Sequence, residues 1–270
     1  MSRIGKKFAE LRRAERKGFV PFVTAGDPDL KTSLSIVEVL AEAGADVIEL
    51  GVPFSDPMAD GPTIQASSQR ALMNGVSLPD VLIVVREFRN NFDTPIVLFG
   101  YLNPLMQYGL ARFRDDAAAA GVDGVLVTDV VDDEAQAISD QLAESDIDLI
   151  SLVAPTTTDE RLEKIAERAR GFIYAVSRAG VTGARAEMSS AAEKLVDRVR
   201  QYTDLPIAVG FGISTPRQVE DVWRYADAAV VGSAIVNQIG QAVTGEDAIK
   251  RVRDFIRGLV PEVAKTPSGI

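Results

Sequence analysis

Two rhythms alternate along the chain. Short runs rich in Val, Ile and Phe read as strands over residues 19–25, 47–50, 95–99, 124–128, 147–153, 172–176, 206–210 and 228–231. Between them, apolar positions recur at helical spacing. In residues 30–43, Leu34, Val37 and Leu40 share one face and Gly44 follows the last turn. The same reading predicts helices over 63–73, 79–90, 111–120, 132–144, 158–170, 190–202, 216–224 and 246–259, with another opened by Gly232-Ser233. An amphipathic segment at 3–16, carrying Ile4, Phe8 and Leu11, precedes the first strand as a cap.

Apolar runs without a polar face fit parallel strands covered on both sides. Eight βα units in a chain of this length predict an α/β fold, a single (β/α)8 TIM barrel spanning residues 1–270. It would carry an extra N-terminal helix and extra helices after the second and eighth strands. The rival is a doubly wound open sheet, which needs a glycine-rich fingerprint after its first strand. Thr24-Ala-Gly-Asp-Pro28 is not one, and no break in composition divides the chain.

Charge and composition then remove whole classes of function. With 29 Lys and Arg against 39 Asp and Glu, the net charge of −10 argues against nucleic-acid binding. The chain has no cysteine, which excludes disulfides, thiolate metal sites and a thiol nucleophile. It also has no histidine, so a Ser-His-Asp triad and imidazole ligands are excluded and carboxylates are left as the leading acid–base groups. The first thirteen residues lack an apolar signal core, and no run is long enough to span a bilayer, so a cytoplasmic location is expected.

In a barrel of this kind, chemistry gathers at the C-terminal strand ends. Those ends carry Phe22, Thr24, Glu49, Asp60, Phe99, Tyr101, Leu126, Asp129, Tyr174, Gly183, Phe211, Gly212, Gly232 and Ser233. Glu49 is an acid inside an apolar strand, costly unless paired or used. The proline-rich loop after it holds Asp56 and Asp60. Glu49 is the leading acid–base candidate, because apolar neighbours such as Phe22, Phe99, Leu126 and Tyr174 would raise its pKa. Asp129 is expected to cap the helix that follows it, and Asp27 reads as a turn residue. Gly210-Phe-Gly212 after strand seven and Gly232-Ser233 after strand eight form a phosphate-site pattern, since glycines admit an anion to backbone N–H groups at a helix start. Gly180 and Gly183 are placed to close over it. No lysine lies at the C-terminal end of a strand, so a Schiff base is not expected, and neither is a metal.

Four stretches together resemble the tryptophan synthase α subunit family. They are Pro21-Phe-Val-Thr-Ala-Gly-Asp-Pro28, Glu49-Leu-Gly-Val-Pro-Phe-Ser-Asp-Pro-Met-Ala-Asp-Gly-Pro-Thr-Ile-Gln65, Tyr174-Ala-Val-Ser-Arg-Ala-Gly-Val-Thr-Gly183 and Gly210-Phe-Gly-Ile213. They run in the family's order across almost the whole chain. One departure is Val131, where the family usually has proline.

The resemblance implies retro-aldol cleavage of indole-3-glycerol phosphate to indole and glyceraldehyde 3-phosphate. Glu49 is then the general acid–base group, and Asp60 accepts the indole N–H. Phe22, Leu126 and Phe211 wall the indole, and Tyr174 places the side chain. Gly183, Gly212, Gly232 and Ser233 hold the phosphate. No cofactor is implied in this subunit; pyridoxal phosphate belongs to a β-subunit partner, expected in an α2β2 heterotetramer. Asp56 and the segment around Asn103-Pro104 would face that partner. Glu49→Gln is expected to abolish indole release with the melting temperature nearly unchanged. Two rivals remain: another phosphosugar enzyme on the same barrel, and a non-catalytic activator of a β subunit.

Overall fold

The structure is a computed structural model that describes residues 2–130, 132–176, 185–210 and 212–260. The strands are β1 Gly18–Thr24, β2 Ile48–Gly51, β3 Ile96–Gly100, β4 Gly124–Val127, β5 Asp148–Leu149, β6 Ser151–Val153, β7 Ile173–Val176, β8 Ile207–Gly210 and β9 Ala228–Val231. All pairings are parallel, in the order β5-β4-β3-β2-β1-β9-β8-β7-β6. β5 and β6 are one barrel strand interrupted at Ile150, whose N–H still bonds the Val125 carbonyl at 2.8 Å. The ring therefore closes as a (β/α)8 barrel.

The helices are α1 Arg3–Arg13, α2 Leu30–Glu42, α3 Pro62–Met73, α4 Leu78–Phe88, α5 Leu102–Tyr108, α6 Leu110–Ala120, α7 Asp132–Ala143, α8 Asp159–Arg168, α9 Arg185–Val199, α10 Pro216–Trp223, α11 Ser233–Gly240 and α12 Gly245–Leu259. The extra helices at the N-terminus and after the second and eighth barrel strands are present. A further one, α5, occupies what the sequence suggests is a loop after β3. Pro104 does not prevent it: it sits in the first turn of α5, where its missing N–H costs nothing. The helix ends at Gly109, with φ 91°.

Alternation along each strand sorts the core. Ile48, Leu50, Ile96, Leu98, Ile173 and Ala175 face outward to the helices. Val20, Val97, Leu126, Phe172, Tyr174 and Ala208 line the barrel interior. The N-terminal end of the barrel is plugged by α1, whose Ile4, Phe8 and Leu11 join that inner cluster, with the Phe8 and Phe172 rings 5.6 Å apart.

Three aspartates just ahead of strands stitch neighbours together at this end. Asp46 accepts the Phe19 N–H at 2.9 Å, Asp123 accepts that of Ile96 at 2.8 Å, and Asp227 accepts that of Ile207 at 2.8 Å. Each ties its own strand to the one beside it in the ring. Asp123 also binds Arg89 at 2.5 Å and Arg3 at 2.9 Å. Asp123→Ala would strand a nearly buried Arg89 and an N–H at the start of β3. The expected cost is about 3–5 kcal/mol in denaturant unfolding, as when one partner of a buried pair is removed. A loss below about 1 kcal/mol would show that the cluster is as solvent-screened as an ordinary surface pair.

Candidate active site

Because Ile48 and Leu50 face out, Glu49 must face into the barrel near its C-terminal mouth. It is 1% exposed, and its Oε1 has no hydrogen-bond partner. Burial alone pushes its pKa up to about 8. At neutral pH it is therefore largely a neutral acid, able to give a proton and take one back.

Phe22 stands beside Glu49 in the parallel register. Its ring meets Phe99 edge-on, with centroids 5.3 Å apart. Leu126, fully buried, pairs with Phe99 on the next strand. Tyr174 enters from the opposite wall. Burial raises its pKa, and the charges of Glu49 and Asp60 raise it further, which places all three around one space.

Two glycines at strand ends, one of them read in the sequence as part of the phosphate pattern, make this wall possible. A Cβ on Gly210 would lie 2.2 Å from the Tyr174 hydroxyl, and one on Gly51 would lie 2.7 Å from the Phe22 ring. Only glycine leaves room for either ring. The signal available in sequence was their position at strand ends.

Asp60 lies half-buried at the end of the loop that follows β2. Burial pushes its carboxyl up to about 6, opposed by a hydrogen bond from Tyr101. The Gln65 side chain holds the Asp60 carbonyl at 2.9 Å. Asp56 is exposed on the same loop and accepts from Ser55 at 2.5 Å.

Two acids have tasks that the sequence did not show. Asp129 caps α5, accepting the Leu102 N–H at 2.8 Å; Val131, which leads into α7, lies outside the described residues. Asp27 is no simple turn residue: it is buried and takes two hydrogen bonds from Arg70, both 2.7 Å. Desolvation nevertheless raises its pKa.

Across the mouth, Gly232 caps α11 without any side-chain hydrogen bond, and Ser233 is exposed at the first helical position. Gly212 is exposed with φ 71°, a left-handed conformation suited to glycine. Phe211, Gly183 and Val131 lie outside the described residues. Among the described residues, no group of three His, Cys, Asp or Glu side chains is placed to hold a metal ion.

This arrangement can be compared with known proteins. The family model described as tryptophan synthase alpha chain matches residues 8–261. The chain belongs to the tryptophan synthase alpha chain family. A tryptophan synthase alpha chain from Acidiphilium cryptum is 51% identical over 247 residues, which is 91% of this chain and 90% of the relative. Among solved structures, the aminoacrylate-bound form of tryptophan synthase from M. tuberculosis superposes with a TM-score of 0.84 at 36% identity, covering 96% of this chain and 100% of that one. A chain of the tryptophan synthase α2β2 complex from the hyperthermophile Pyrococcus furiosus gives a TM-score of 0.84 at 42% identity, covering 90% and 97%. Membership in the tryptophan synthase alpha chain family agrees with the resemblance carried by the four sequence stretches.

Proposed function

We propose that this chain is the lyase subunit that cleaves indole-3-glycerol phosphate to indole and glyceraldehyde 3-phosphate, the α reaction of tryptophan synthase. The observation that carries the reading is Glu49, buried, without a partner at Oε1, and protonated at neutral pH. A carboxyl in that state is expensive to keep unless it is used.

The chemistry follows from its two protonation states. Protonated Glu49 delivers its proton to indole C3, producing an indolenine-like cation. Ionised Asp60 accepts a hydrogen bond from the ring N–H and stabilises that charge. The bond between C3 and the side chain then breaks, its electrons returning to the ring. The hydroxyl on the departing carbon gives its proton to the Glu49 carboxylate and becomes the aldehyde. Glu49 ends protonated, as it began.

Phe22, Leu126 and Phe211 wall the indole in this reading, and Tyr174 places the glycerol chain. Gly183, Gly212, Gly232 and Ser233 receive the phosphate, supported by the uncapped start of α11. No cofactor takes part in this subunit. The partner is a tryptophan synthase β subunit carrying pyridoxal phosphate, in an α2β2 assembly, with Asp56 and the Asn103-Pro104 segment of α5 facing it. Met58 and Met106, 90% and 58% exposed on those two segments, supply apolar surface suited to such a contact. The proposed location is the cytoplasm; no helix among the described residues is long and apolar enough to cross a membrane.

The test is an indole-release assay on indole-3-glycerol phosphate, alone and with a β subunit added. Release in either case, stimulated by the β subunit, is expected. No indole under both conditions would overturn the assignment.

A further inference from the structure

Tyr101 directly follows β3 and takes no step in the reaction above, yet it meets the Asp60 loop at both ends. Its ring packs against Phe54, with centroids 5.1 Å apart. Its hydroxyl accepts the Ala59 N–H at 3.0 Å. Beside that N–H, the same hydroxyl acts on the Asp60 carboxyl and holds its pKa down against burial. The side chain is 4% exposed and follows the last residue of a barrel strand, so it is held rigidly. Between the two anchor points, Ser55, Asp56 and Met58 are exposed. An exposed stretch is thus fastened at either side of its arc by one ring and one hydroxyl.

We propose that Tyr101 is the positioning residue of the Asp60 loop, fixing the carboxylate where it meets the indole N–H. The proposal rests on the reading of Asp60 as the N–H acceptor. An unanchored loop would present Asp60 in many places, and preorganised charge is what stabilises a developing cation. The hydroxyl has a second effect. Burial raises the Asp60 pKa, and the Tyr101 hydrogen bond opposes that rise. Removing the hydroxyl therefore moves the carboxyl further up. The titratable groups that face Asp60 are Tyr101 from the end of β3 and Tyr174 from β7, with Glu49 of β2 acting on the same Tyr174.

The test compares Tyr101→Phe, Asp60→Asn and the double variant in indole release, with pH profiles of kcat/KM. Tyr101→Phe is expected to lower kcat about tenfold with KM changed less than about threefold, because the loss falls on the transition state. Its acid limb should move up by roughly half a pH unit or more, through loss of the hydrogen bond to the charged form. The substrate phosphate titrates equally in both proteins and does not contribute to the difference. In Asp60→Asn, adding Tyr101→Phe should cost less than about twofold more, since coupled residues are not additive. Phe54→Leu loosens the loop while leaving the hydroxyl, so it should lower kcat without moving the acid limb. An unmoved acid limb in Tyr101→Phe, or a tenfold loss that persists in the double variant, would overturn the positioning role. Wild-type kcat in Asp60→Asn would instead bring down the underlying reading of Asp60, and the proposal with it.

Discussion

Glu49→Gln should lower indole release about a thousandfold or more, the upper range for removing a general acid–base group, while making the protein more stable at neutral pH. The first effect follows from the mechanism, in which one carboxyl both gives and receives the proton. The second follows from burial. Unfolded, the carboxyl titrates at its ordinary value of 4.5; folded, it titrates at about 8. Folding therefore takes up a proton between those values, and stability falls as pH rises through that window. At about 1.4 kcal/mol per pH unit, the native state is roughly 3 kcal/mol less stable at pH 7 than it would be with a neutral side chain there. Glutamine lacks that penalty. Its melting temperature should exceed wild type by several degrees at pH 7 and match it near pH 4, where both forms are uncharged. The sequence alone suggests a nearly unchanged melting temperature; the missing partner at Oε1 changes that expectation. Equal melting temperatures at pH 7 would mean that Glu49 is solvated or paired. Retained activity would remove it from the mechanism.

The second large effect is a bell-shaped dependence of kcat/KM on pH and its loss of one limb in Asp60→Asn. Asp60 must be ionised to face a cation, and burial places its carboxyl at about 6, so activity should fall as pH drops through that value. Glu49 must be protonated to begin, so activity should fall as pH rises through about 8. Asparagine at position 60 can still accept from an N–H but carries no charge. It should cost about a hundredfold in kcat, comparable to losing one preorganised electrostatic group. It should also remove the protein's share of the acid limb, leaving the alkaline limb in place. An acid limb identical to wild type in Asp60→Asn would assign it to the substrate phosphate.

Much of the architecture was legible because it depends on local pattern. Runs such as Ile96–Gly100 and Ala228–Val231 are apolar on both faces, and the intervening segments keep helical spacing. Helix boundaries were less legible. Tyr101-Leu-Asn-Pro104 reads as a loop after β3, yet Pro104 falls in the first turn of a helix, where proline is tolerated. The cap that starts α5 comes from Asp129, 27 residues away on another loop. Proximity in sequence points to α7 as its target, and only the juxtaposition of the third and fourth strand ends brings it to α5.

The candidate site shows the same division. That Glu49 lies at a strand end, that Asp60 follows in a proline-bounded loop, and that glycines open the last two units are properties of short segments. The sequence by itself determined them, because strand alternation and turn chemistry act over a few residues. The tertiary structure decided which polar groups meet. Asp27 was paired with Arg70 across 43 residues, and Tyr101 with Ala59 across 42. Tyr174 needs the glycine at 210, on the neighbouring strand, for its hydroxyl to fit. Glu49 was left with Oε1 unpartnered. Whether a buried charge is neutralised, paired or kept as an acid depends on what the closed barrel brings within about 3 Å of it, the range of a hydrogen bond, and no local pattern carries that information.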